Sequence, residues 1–253
     1  MTGMGPTDDG IERDHAKPFD ESEPVEIRVL TEPAELRRLT VLFNQVWGTV
    51  TPLVGIELLR AIGHTGGYVA GAFSQQRIVG GSIGFLARHR GEIALHSHVT
   101  GILPGVRQTG LGRQMKLHQR EWAADQGIDW VTWTFDPLVR RNAWFNLCVL
   151  RAEASEYLVD FYGPIDDAIN HRDESDRLLV AWATTGEAAA PPTEAGPGLD
   201  RVPTPEDIIV LRRTDPTAAA TWRRKVRDQL GGAMEAGAAV VGATRDGDYL
   251  LRR

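Results

Sequence analysis

The sequence predicts an α/β (α+β) protein built on a mixed central sheet, and three observations carry that prediction. Short apolar or alternating runs interleave with 3.6-periodic segments over residues 25–185, in the order β, α, α, β, β, β, α, β, α, β, β. A glycine-containing loop, Arg107-Gln108-Thr109-Gly110-Leu111-Gly112, stands between a strand pattern and a long helix pattern. A stretch rich in Ala, Pro, Thr, Gly and Glu at 186–203 reads as a linker to a small C-terminal piece at 204–253.

Composition narrows the class. A chain of 253 residues, 42% hydrophobic and 25% charged, is of soluble globular type. A net charge of −6 argues against a general nucleic-acid binder. The one cysteine, Cys148, excludes an intrachain disulfide and a cysteine-cluster zinc site, and no metal is expected. The N-terminus lacks a basic-then-apolar pattern, and no apolar run reaches about eighteen residues. A cytoplasmic protein without a membrane partner is expected.

Residues 1–24 are polar and acidic, without apolar periodicity, and read as a disordered leader. Val25–Leu30 alternates and predicts the first strand. Thr31 is placed to cap a helix that Pro33 opens and that runs to about Trp47. A short helix follows over Gly55–Ile62, broken by His64-Thr65-Gly66-Gly67. Tyr68–Ser74 and Ile78–Ala87 read as a hairpin, with Gly80, Gly81 and Gly84 suggesting a bulge or close packing. Ala94–Leu103 is the fourth strand, and the long helix then runs to about Gln126, ended by Gly127. Trp130–Phe135 is a strong strand that Asp136-Pro137 ends. A helix is expected over Arg141–Leu150, and strands over Glu156–Tyr162 and Arg177–Trp182. In the C-terminal piece a strand at Asp207–Leu211 precedes a helix from about Pro216 to Glu235. A hairpin then turns at Asp246-Gly247, pairing Ala238–Arg245 with Tyr249–Arg252. About fifty residues bury too little surface to be very stable alone, so this piece is expected to dock on the first domain.

The chemistry centres on the loop. The first turn of a helix has N–H groups without intrahelical partners and the positive end of the dipole, and Gly110 and Gly112 let a ligand approach the backbone. This predicts a phosphate or pyrophosphate site. No Gly-Lys-Ser/Thr follows, so it is not a Walker loop, and the dinucleotide pattern GxGxxG is absent. The residues Ile102, Pro104, Arg107, Gly110 and Gly112, spaced I-x-P-x-x-R-x-x-G-x-G, resemble the GNAT superfamily of acyl-CoA-dependent acyltransferases. The order of elements over residues 25–185 is similar to that of a GNAT domain in full.

The resemblance implies a sheet that splays between the fourth and fifth strands and holds CoA in the gap. Pantetheine would pair with the backbone of Gly101, Ile102 and Leu103, as a ligand adding to a strand edge. The pyrophosphate would lie on amides of the segment Gln108, Thr109, Gly110, Leu111, Gly112 and Arg113, with Arg107 or Arg113 adding charge. The N–H of Ile102 or Leu103 would polarise the thioester carbonyl. Acyl transfer to an amine also needs a base, because the amine is cationic near neutral pH. His96 falls on the strand position where many GNAT enzymes carry a glutamate base, and His98 shares its face. Glu92, at the strand's edge, is a further candidate base, while Asp136 could bind an amine, although Asp-Pro reads first as a turn starter. The tyrosine that relatives use as the acid is missing, since Leu147 stands there, leaving Asn146, Cys148, Tyr157, Tyr162 or water. Cys148 reads as an inert buried thiol. Asn142, one turn before Asn146, could face pantetheine or acceptor, and Trp130 and Trp133, on opposite parities of their strand, read as one or both core, with a wall of the acceptor pocket as the alternative. The arginines and lysine at 223–227 read first as a solvated face.

The segments TFDPL, NAWFN, DFYG and SDRLLVAW look like a little-characterised bacterial GNAT subgroup. This implies N-acylation of a small primary amine, an amino acid among the options, from acetyl-CoA or another short acyl-CoA, with a homodimer allowed. The alternatives are a protein N-acetyltransferase and a catalytically idle acyl-CoA sensor or scaffold.

Overall fold

The structure, a computed structural model, describes residues 24–49, 51–107, 109–164 and 173–253. The leader through residue 23, and Gln108 within the glycine loop, lie outside the described residues.

Val25–Val29 (β1) pairs antiparallel with Tyr68–Ser74 (β2), and β2 with Arg77–His89 (β3). Between β1 and β2 run Pro33–Trp47 (α1) and Ile56–His64 (α2), which bury Leu36, Leu39, Phe43 and Leu59. Pro33 opens α1 as expected, but Thr31 does not cap it. The N-cap is Glu32, without a side-chain cap, and the Thr31 carbonyl instead accepts from Arg60 Nη1 at 2.8 Å.

Glu92–Ile102 (β4) and β3 are both longer than the sequence pattern predicted. Arg90 (φ 52°) and Gly91 (φ 87°) close a two-residue turn with both central φ angles positive, so His89 pairs with Glu92. The register slips between Ile83 and Gly84, leaving His98 as the extra residue on β4. After β4 come a 3-10 turn, Pro104–Val106, and the long helix Leu111–Asp125 (α3). Trp130–Phe135 (β5) has the predicted limits.

The expected late helix is Arg140–Ala143 (α4), continued by a π-helical segment at Trp144–Val149. The next strand is Glu153–Leu158 (β6), not Glu156–Tyr162. The chain turns at 159–162 because the carboxylates fold it back: Asp160 N donates to Asp176 Oδ1 (3.0 Å) and Ser175 N to Asp160 Oδ1 (2.9 Å). Arg177–Ala183 (β7) completes a seven-stranded sheet of order β1-β2-β3-β4-β5-β7-β6.

In the C-terminal part, Asp200–Val202 (β8) forms within the expected linker. The expected strand at Asp207–Leu211 is instead a helix, Ile208–Thr214 (α5). Asp207 caps it, its carboxylate accepting from Ile209 N and Val210 N. Pro216–Val226 (α6), a π-helical segment at Arg227–Gly231 and Gly232–Glu235 (α7) fill the predicted helix. Ala239–Ala243 (β9) and Tyr249–Arg252 (β10) form the predicted hairpin, and β8 adds to β10.

One buried cluster holds Leu39, Phe43, Val69, Val99, Leu111 and Met115. The other joins Trp133, Leu147, Leu178 and Val180 to Ile208, Val226, Leu230 and Tyr249 of the C-terminal elements. Tyr249 is wholly buried and its hydroxyl donates to the Pro137 carbonyl (2.8 Å). Of the basic residues expected to form a solvated face, Arg224 and Lys225 are exposed, but Arg223 and Arg227 are not. Arg223 is 1% exposed, and Arg227 pairs with Asp176 and Glu174.

Candidate active site

β4 and β5 pair in parallel only where Ala94–His96 meets Trp130–Thr132. Beyond His96 and Thr132 the strands part, and an open cleft of about 630 Å³ lies between them. Ser97, His98, Thr100 and Ile102 line one wall; Trp133, Thr134 and Asp136 line the other. Gly112 and Lys116 of α3 lie along it, and Asn142, Tyr162, Arg177 and Arg212 close its far part.

The backbone of β4 turns alternate residues to the cleft. Leu103 N donates to Val79 O of β3 (3.0 Å), which makes that pair a hydrogen-bonded one. The alternation puts the main-chain groups of Ile102 and Thr100 on the open edge, while those of Gly101 and Leu103 face β3. The amide of Leu103 is therefore spent, and the expectation that it serves a ligand is corrected. Arg107 Nε donates to Ile102 O (3.2 Å), so this carbonyl already has one partner. Gly101 is small for packing reasons: a Cβ there would lie 2.7 Å from the Trp47 ring.

Gly110 is the N-cap of α3 with φ +82°, a conformation that favours glycine. Arg113 N and Gln114 N donate to Gly110 O, and the amides of Leu111 and Gly112 open the first turn. Leu111 is core, Thr109 Oγ1 donates to Val106 O (2.9 Å), and Arg107 and Arg113 are exposed beside the helix start. A cleft that begins at a helix N-terminus and runs along an open strand edge can take an extended ligand with an anionic head.

His96 and His98 do share a face, with ring centroids 6.4 Å apart and both against Phe85. His96 is half-buried at the point where the strands part, within hydrogen-bond distance (3.1 Å) of Thr132 Oγ1. Burial, aided by His98 and Lys116, pushes it down to about 4. His98, on the bulge, is the histidine that lines the cleft, and burial lowers it too. Glu92 lies exposed at the other end of β4.

Lys116 escaped the sequence reading. It lies on the sheet-facing side of α3, one turn after Gly112, and is buried. Its Nζ donates to Ser97 Oγ (2.8 Å) and lies 4.0 Å from the Trp133 ring centroid. Among the described residues no carboxylate pairs with it, and burial lowers it to about 7. A lysine and Gln119 interrupting the apolar stripe of Leu111, Met115 and Ala123 were the signal available in the sequence.

Of the possible acids, Leu147 is core and Tyr157 donates to Asp176 (2.8 Å), outside the cleft. Cys148 Sγ donates to Ala243 O (3.3 Å), and burial raises its thiol. Asn146 is buried and accepts from Trp133 Nε1 (3.1 Å) while lining the cleft. Tyr162 lines it too, its hydroxyl 3.4 Å from Thr134 Oγ1 and its ring 6.5 Å from that of His98. Among the described residues no group of three His, Cys, Asp or Glu side chains could hold a metal ion, and no helix is long and apolar enough to cross a membrane.

Asp136 starts the turn after β5, accepting from Leu138 N (2.9 Å), and is ion-paired with Arg212 and Arg223. Asp173 joins the same two arginines, each at 2.8 Å. Burial alone would raise the Asp136 carboxyl, but Arg223, Arg212 and the hydrogen bonds outweigh it and hold it below its ordinary value.

Among solved structures, the Escherichia coli ribosomal-protein-S18-alanine N-acetyltransferase superposes with a TM-score of 0.52 at 11% identity, covering 65% of this chain and 97% of that one. A probable acetyltransferase from Staphylococcus epidermidis superposes with a TM-score of 0.50 at 14% identity, covering 64% and 100%. The chain has the GNAT fold. Such identities are a likeness of fold, and the parting of β4 from β5 is where the GNAT fold opens in this chain. No protein-family model matches the chain, and no curated protein sequence matches it.

Proposed function

We propose that the protein is an acyl-CoA-dependent N-acyltransferase acting on a primary amine of a small molecule. The observation that carries this is the cleft between parted β4 and β5, with an αL glycine and a helix start at one end and ionisable side chains at the other. The pyrophosphate of CoA would lie on the amides of Gly110, Leu111 and Gly112, with Arg107 and Arg113 beside it. Pantetheine would run along the open edge at Ile102 and Thr100. From Ile102 to His98 is about 13 Å along a strand, so the thioester would reach the bulge.

His98 takes the role of base in this reading. It lines the cleft, whereas His96, held near 4 and within hydrogen-bond distance of Thr132, does not. The amine nitrogen attacks the thioester carbon, its proton passes to His98, and the C–S bond breaks. Lys116 gives a proton to the departing thiolate. Its ammonium, brought to about 7, is acidic enough to protonate a thiolate, whose usual pKa is about 8.5.

Thermal unfolding with CoA tests the site. At a hundredfold excess over its Kd, CoA should add about 2.7 kcal/mol, a midpoint rise of about 5–10 °C. In Gly112→Val the rise should vanish with the fold intact. The new Cβ would be 3.4 Å from Ile102 Cδ1, which the helix tolerates, but the branches fill the cleft. A rise that survives in Gly112→Val would remove the pyrophosphate assignment. Thiol release with an amine panel tests the activity. His98→Ala should then lower kcat by about 10²–10³-fold and flatten the acid limb of the pH profile, and His96→Ala should cost less. The reverse ranking would return the role of base to His96.

A further inference from the structure

Arg177 is the first residue of β7, 8% exposed, and lines the cleft beside Asp136, Tyr162 and Arg212. Among the described residues its guanidinium makes one hydrogen bond, from Nη1 to the main-chain carbonyl of Asp176 (2.9 Å), and its Cζ lies 5.4 Å from the Tyr162 ring centroid. The carboxylates around it are taken. Asp136 and Asp173 are shared by Arg212 and Arg223, and Asp176 is held by Arg227 and Tyr157. Arg177 itself pairs with no carboxylate among the described residues.

A buried cation is tolerated when paired, and an unpaired one is costly. Burial lowers Arg177, and the repulsion of Arg223 and Arg212 adds to this against the attraction of Asp136. Among the described residues the only wholly buried side-chain polar atom without a partner is His89 Nε2. The remaining N–H groups of Arg177 are thus not sealed in protein, and the open space beside them is the cleft. Arg141, exposed on the same cleft, adds a second positive charge.

We infer that Arg177 is an anion-recognition residue, and that the cleft takes an acceptor bearing a carboxylate as well as an amine. The guanidinium fork matches a carboxylate in two parallel hydrogen bonds. A carboxylate would also supply the charge that Arg177 lacks, in a place shielded from water. The Tyr162 ring is near both Arg177 (5.4 Å) and His98 (6.5 Å), and all three line the one cleft, so the acid and the amine of one acceptor would be held within it. The inference rests on the acyltransferase reading for the identity of the amine end alone.

Calorimetric titration of the full chain, with CoA present, tests it. The probes are N-acetylglycine, N-acetylleucine and N-acetylglutamate, their methyl amides, and N-acetylphosphoethanolamine. The acids should bind wild type at least about tenfold tighter than the amides. That preference should collapse in Arg177→Gln and be partly restored in Arg177→Lys. Equal binding of acids and amides by wild type, no binding of any acid, or a preference that survives in folded Arg177→Gln would overturn the inference. Tighter binding of the phosphate probe would replace the carboxylate by a phosphate and overturn it as stated. If no amine releases thiol from acyl-CoA, the acyltransferase reading falls while the titration still decides the anion site.

Discussion

Asp136→Ala should cost about 3–5 kcal/mol of stability, because it leaves two buried guanidinium groups to share the single carboxylate of Asp173. Arg212 and Arg223 are 3% and 1% exposed and come from α5 and α6, while Asp136 ends β5. The carboxylate is thus one of the points, with Asp173 and Asp176, where the C-terminal helical elements are tied electrostatically to the rest of the fold. With typical domain stabilities of about 5–15 kcal/mol, the loss is a large share. Urea unfolding measures it, with the exposed neighbour Arg224→Ala as control, expected within about 0.5 kcal/mol of wild type. The pH dependence has a fixed sign. Asp136 is held below its unfolded value of about 3.9, so its contribution is present above that value and is lost as pH falls through the folded one. Asp136→Ala should accordingly unfold with a shallower acid limb. A variant as stable as wild type, with an unchanged acid limb, would mean that the network contributes nothing net.

How much of this could be seen beforehand differs by element, for physical reasons. β5 and the β9–β10 hairpin were legible because each is bounded by its own chemistry, Asp136-Pro137 after one and Asp246-Gly247 within the other. The parting of β4 and β5 came from the resemblance, and nothing local in either strand announces it. Asp207–Leu211 misled because a short apolar run looks alike in a strand and a buried helix, and the cap on Asp207 decided it. Glu156–Tyr162 misled because Asp160, Ser175 and Asp176 fold that stretch through contacts far along the chain. The same distance hid the site's charges. Arg223 looked solvated because its carboxylates lie 50 and 87 positions away. Arg177 offered no pattern at all, since its meaning lies in the partners it lacks. The helix start after the glycine loop was legible from its glycines, although the left-handed conformation of Gly110 was not read from them.

Lys116→Met should make the protein more stable and the proposed enzyme worse. The ammonium is buried without a carboxylate and lowered to about 7, against about 10.4 in the unfolded chain. Between those values the unfolded state binds the extra proton, so the lysine's penalty is full at pH 7 and below and fades towards pH 10. Methionine keeps the stem's volume and removes that penalty, giving up the hydrogen bond to Ser97 and the contact with the Trp133 ring. The net gain at pH 7 should be roughly 1–3 kcal/mol, shrinking as the buffer is made alkaline. Thiol release should meanwhile fall by about 10²-fold or more if the lysine protonates the leaving thiolate. An acceptor assay on an acyl donor with a more acidic thiol should recover part of the loss, because a better leaving group needs less help. A lysine kept only for packing would give neither the loss nor the recovery.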